Sequence, residues 1–183
     1  MLQWLKQRTE TSRRASELYG SVVAAARRPY FYERIGVPDT AEGRFELVAL
    51  HLFLALEGIK DRGQADRDLA QRTIENFVSD MDDCMREMGV GDMAVPKKVK
   101  LAAAVFYERA AAYRARLAEA SAEGLEENLR RDVFTRELRD KARVAALARY
   151  VRGAALALRD QPIAAFIASG EQERLLAGSS SEV

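Results

Sequence analysis

The chain has 183 residues, 48% of them hydrophobic and 31% charged, with 29 Lys and Arg against 28 Asp and Glu. That length and apolar content support a single core, and they exclude a disordered chain, a collagen repeat or a disulfide scaffold. A net charge of +1 excludes a whole-molecule electrostatic case for nucleic acid or membrane, so charge is informative only locally. The lone cysteine, Cys84, forms no internal disulfide and points to a reducing, cytoplasmic compartment.

Helical periodicity runs through the chain, and no period-2 strand stands out. Residues 1–17 read as a helical segment without an apolar signal stretch. Its Leu2, Trp4 and Leu5, beside Lys6 and Arg8, suit packing on the body or a membrane interface. Leu18, Tyr19, Val22, Val23 and Ala26 continue one stripe, and Pro29 opens a short helix through Tyr30–Ile35. Gly36-Val37-Pro38-Asp39-Thr40 is a turn, and Asp39 with Glu42 three residues on predicts a capping box.

The helix that follows, near 41–61, is apolar almost all round and is expected at the centre of a bundle. His51 sits within it and reads as a hydrogen-bonded core histidine. Its greasiest stretch, Leu47 to Leu56, is too short to span a bilayer, which takes about 20 residues. A helix over 66–88 carries Leu69, Thr73, Phe77, Met81, Cys84/Met85 and Met88 on one stripe, which places Cys84 in the core and Gly89 as C-cap.

Pro96 opens a helix to about Ala118 with Val99, Phe106, Ala110, Tyr113 and Leu117 inward. Tyr107 and Arg114 fall on its other side. Residues 119–124 read as a flexible insert, 125–134 as a short helix, and 140–159 as a strong one carrying Val144, Leu147, Tyr150 and Val151. Pro162 begins a last short helix, Ile163–Ala168, ended by Gly170. The expected architecture is an all-α, single-domain bundle of about six to eight helices over residues 18–170, with 171–183 a frayed tail.

Charge is segregated where the fourth and fifth of these helices meet. Glu75, Asp80, Asp82, Asp83, Glu87 and Asp92 face one base, Arg86, and the next stretch sets Lys97, Lys98, Lys100, Arg109, Arg114 and Arg116 against Glu108 alone. In the plainest reading these are two solvated faces that pair partly with each other. Asp80, Asp83 and Glu87 share a helical face, yet no Glu-x-x-His motif accompanies them, so no metal site is expected. No phosphate loop, Ser elbow or Cys/His ligand spacing occurs, so neither catalysis nor a cofactor is expected.

Several runs resemble the ubiquinol–cytochrome c chaperone family. They begin with Tyr19-Gly20-Ser21-Val22-Val23, Ala26-Arg27, Phe31-Tyr32 and Gly36-Val37-Pro38-Asp39-Thr40. Gly43-Arg44-Phe45-Glu46-Leu47 and His51 follow, then Phe77, Asp80-Met81-Asp82, Arg86-Glu87-Met88-Gly89-Val90-Gly91-Asp92, Lys97, Val99-Lys100, Phe106-Tyr107 and Arg109. A weaker echo is Ala148-Arg149-Tyr150-Val151-Arg152, so the likeness covers Leu18 to Arg152. Glu108, where a small residue is usual, departs from the pattern. The short N-terminus, with no long presequence, fits a bacterial-type member.

The resemblance implies an all-α protein without cofactor or catalysis, which assists cytochrome bc1 assembly by binding nascent or immature cytochrome b. It also implies contact with the ribosome near the tunnel exit, and peripheral contact with the cytoplasmic face of the inner membrane is a further expectation. The residues expected to rim the partner-binding surface are Asp80, Asp82, Arg86, Glu87, Asp92, Lys97, Lys100 and Arg109, with Arg44 a further candidate. Met81, Met85 and Met88 are expected in the core and Met93 in the open, where Met suits adaptable apolar contact. The alternatives are a ribosome- or RNA-binding module and a membrane-surface adaptor held by the N-terminal helix.

Overall fold

A computed structural model describes residues 2–60, 63–134 and 140–178, with side chains from Gln7 onward. The side chains of Leu2, Trp4 and Leu5, and residues 179–183 of the expected tail, lie outside what it describes. The helices are α1 (Leu2–Ala26), α2 (Pro29–Glu33), α3 (Ala41–Ile59), α4 (Gln64–Glu87) and α5 (Val95–Leu117). They continue as α6 (Glu123–Asp132), α7 (Lys141–Ala157), α8 (Ile163–Ala168) and α9 (Glu171–Gly178). No strand occurs among the described residues, and the fold is all-α.

The helices gather into two compact units, Met1–Gly20 with Ile59–Arg109, and Ser21–Gly58 with Ala110–Val183. In the second, α3 is the buried helix that its apolar sequence demands, with every residue from Ala49 to Ala55 buried. Thr40 rather than Asp39 caps it. Because α3 begins at Ala41, Thr40 holds the position before the first turn, and its Oγ1 accepts from the Gly43 amide at 3.1 Å. Asp39 is left to pair with Arg44 at 2.7 Å. Gly43 is required here because a Cβ would lie 2.0 Å from the Pro38 carbonyl oxygen.

His51 is 1% exposed and fully engaged. Nδ1 lies 2.7 Å from the Leu47 carbonyl and Nε2 lies 2.8 Å from the Tyr150 hydroxyl. A neutral ring that donates from Nδ1 and accepts at Nε2 fits both partners, and burial pushes its pKa down to about 4. Phe31 packs edge-on to both rings, at 5.2 Å from His51 and 5.1 Å from Tyr150.

Gln172 of α9 completes this chain, donating to Tyr150 Oη at 3.2 Å and to the Ala25 carbonyl at 3.0 Å. The segment from residue 171, expected as tail, is therefore helix through Gly178, and Leu176 is 3% exposed. Its fully buried residues are Gln172 and Leu176, too little apolar signal for periodicity to detect. Arg28 adds an ion pair to Glu173 at 2.7 Å.

Asp140 caps α7 through the amides of Ala142 and Arg143, where the sequence starts that helix. From α7, Arg152 donates to the carbonyls of Glu119 at 3.1 Å and Ser121 at 2.5 Å. The stretch read as an insert is thus held by hydrogen bonds along its length.

In the first unit, α4 buries Leu69, Thr73, Phe77 and Met81, a strict four-residue line. Cys84 is exposed, against expectation. It lies three residues past Met81 and so turns about 60° off that line, on the last turn, where no residue is buried. Met88, the C-cap beyond the last turn, is 60% exposed. Gly89 ends α4 with φ of 77°, its amide bonded to the Arg86 carbonyl and that of Val90 to Met85. Those two bonds make a Schellman cap, which needs the left-handed conformation glycine adopts without strain.

Candidate functional site

Four rings run in a row through the first unit. Tyr19 of α1 stands 6.3 Å from Phe77 of α4, Phe77 stands 5.4 Å from Phe106 of α5, and Phe106 stands 5.5 Å from Tyr107. The inner two are buried, while Tyr107 at the end of the row is 53% exposed. At the other end the Tyr19 hydroxyl donates to Asp80 at 2.7 Å, which fixes that carboxylate on the surface.

Arg86 organises the acidic side. Its guanidinium donates to Asp82 at 2.5 Å and to Asp92 at 2.6 Å, fastening the last turn of α4 to the loop beyond its cap. The hydrogen bond to Asp82 holds Arg86 above the usual arginine pKa. The acids therefore draw their counter-charge from within their own segment. Lys97, Lys98 and Lys100 are exposed, and among the described residues none has a carboxylate within ion-pair distance. The expected cross-pairing of the two faces is not what neutralises the acids.

Asp80, Asp82, Arg86, Glu87, Asp92, Lys97, Lys100 and Arg109 all belong to this unit, on α4, the loop after it and α5. Glu87 is exposed and, among the described residues, has no cation within ion-pair distance, and Arg109 is half-buried. Arg44 belongs to the second unit and is engaged by Asp39. Arg114 also belongs to the second unit and is bound to Glu57.

Apolar side chains stand in the open among these charges. Met93 is 96% exposed, and Met88 and Leu101 join it. Met93 was legible from its loop position. Leu101 was not singled out, although its four-residue spacing from Lys97 and its place opposite Val99 and Phe106 put it on the outer face of α5. Among the described residues no group of three or more His, Cys, Asp or Glu side chains is placed to hold a metal ion. No helix among them is long and apolar enough to cross a membrane.

Among the described residues the chain is all-helical and carries a mixed-charge, methionine-bearing surface. The family model described as ubiquinol–cytochrome C chaperone matches residues 33–173, and the chain belongs to that family. It is also similar to the Cbp3 homolog from Brucella abortus, known from a crystal structure. The two share 35% identity over 93% of each chain, with a TM-score of 0.78. No curated protein matches the chain.

Proposed function

We propose that this protein is a non-catalytic assembly chaperone that binds newly made or immature cytochrome b and promotes assembly of the ubiquinol–cytochrome c reductase complex. The family match and the likeness to the Cbp3 homolog support the assembly role. The observation that carries the binding surface is the conjunction on one unit of exposed Met88, Met93, Leu101 and Tyr107 with clasped acids and unclasped lysines. Apolar side chains hold a hydrophobic client reversibly, and the flanking charges select it and speed its encounter.

The surface is assigned Asp80, Asp82, Arg86, Glu87, Asp92, Lys97, Lys100 and Arg109. The protein acts at the cytoplasmic side, in peripheral contact with the inner membrane where its client is inserted. Deleting its gene lowers the level of assembled bc1 complex while an unrelated oxidase stays intact, and equal loss of both overturns the reading. Crosslinking from residues 89–100 in growing cells recovers cytochrome b if the surface is assigned correctly.

The three lysines also favour a second reading, contact with ribosomal RNA. Such binding weakens steeply with added salt. A flat salt response of ribosome co-sedimentation eliminates it.

A further inference from the structure

The outer face of α5 is built differently from the clasped acids before it. Lys97, Leu101 and Ala104 recur at spacings of four and three residues and are all exposed. Lys98 and Lys100 flank them. Tyr107 ends the stripe about 15 Å along the axis from Lys97. On the opposite side of the same helix Val99 and Phe106 are buried, so α5 turns one face inward and this one to solvent. Leu101 is 65% exposed and Tyr107 53%, so two large apolar side chains share this face with the lysines.

We propose that this face of α5 docks on an anionic lipid bilayer, with Leu101 and Tyr107 at the level of the headgroups and the lysines against lipid phosphates. Charge complementarity selects that occupant. Three cations without carboxylate partners precede a single acid, Glu108, at the far end of the stripe. The long stems of the lysines let their ammonium groups reach out while the apolar groups settle deeper. Tyrosine is suited to that depth because its ring is apolar and its hydroxyl is wet.

The inference deepens the peripheral contact named above and rests on that part of the proposed function, not on the identity of the client. Full-length protein without client is sedimented with vesicles of phosphatidylcholine alone and with about 30% phosphatidylglycerol. Binding is expected only to the anionic vesicles, and raising the salt to about 0.5 M lowers it sharply. The double variant Lys97→Gln/Lys100→Gln lowers partitioning by roughly tenfold to thirtyfold, with the thermal midpoint unchanged. Leu101→Ser, which leaves the charge intact, lowers it severalfold and supplies the test should the double variant fold poorly.

Failure of the wild type to sediment with anionic vesicles overturns the proposal. So does vesicle binding that survives both variants, or binding to neutral vesicles of equal strength. Loss of self-association or RNA binding in these variants, with vesicle binding intact, assigns the face to a second copy or to RNA and overturns it as well. The client reading is judged separately, by bc1 assembly in the deletion strain.

Discussion

The Tyr150 hydroxyl donates to His51 Nε2 at 2.8 Å, and the same hydroxyl accepts from Gln172 at 3.2 Å. A histidine so enclosed stays neutral, because charging it would leave an imidazolium in the core with Nε2 aimed at a hydroxyl that must then reverse its role.

Folding stability therefore falls in mild acid. The unfolded ring takes up a proton near its ordinary value of 6.5, while the folded ring resists until about pH 4. Between those values the unfolded state binds more protons, so stability is complete above the higher value and declines as pH drops toward the lower. The decline attributable to His51 totals about 3 kcal/mol. Urea midpoints measured from neutral pH downward, in the wild type and in His51→Gln, check it. The difference between the two proteins narrows in acid if His51 is responsible, and a constant difference rejects the assignment.

Tyr150→Phe removes the hydroxyl and leaves the ring volume almost intact. His51 Nε2 then loses its donor, whereas Gln172 retains the Ala25 carbonyl. The expected cost is about 1–3 kcal/mol, read as a shift of the urea midpoint without a change of slope.

Gly58 lies where α3 passes the end of α7, and a Cβ there would stand 2.4 Å from the Leu158 carbonyl oxygen. Backbone cannot swing aside as a side chain can. Gly58→Ala is expected to lose about 1–3 kcal/mol or more. Gly20→Ala, where a Cβ meets nothing within 4 Å, is the matched control in a thermal melt.

Arg86→Gln separates stability from function. Its ion pairs are exposed, so their loss leaves the thermal midpoint close to that of the wild type. Released from the clasp, Asp82 and Asp92 no longer fix the loop after α4 to that helix. Recovery of crosslinked client from residues 89–100 is expected to fall severalfold while the melting curve is preserved. Undiminished crosslinking places the client elsewhere.

The helices were legible where apolar spacing is regular: α3, α5 and α7 stand where their stripes put them, and His51 is the bonded core residue the sequence suggests. What escaped the sequence depends on partners far along the chain or on helix ends. α9 was hidden because its deepest residue, Gln172, is polar and gains its place through a carbonyl 147 residues earlier. Cys84 followed the stripe in spacing but lay past the last buried turn. Among the site candidates, the exposure of Lys97 followed from its place opposite Val99. The pairing of Arg86 with both Asp82 and Asp92 depends on how the loop after Gly89 folds back, which spacing does not encode.

The bond from Gln172 to Ala25 also dictates an order of events during synthesis. The carbonyl it satisfies leaves the translating ribosome early, and its donor emerges 147 residues later. Until then the second unit lacks the buried Gln172 and Leu176 of α9, and the surface they cover stays open. The second unit is thus a late closer, and a premature stop before residue 172 yields an unclosed product rather than a slightly shortened one.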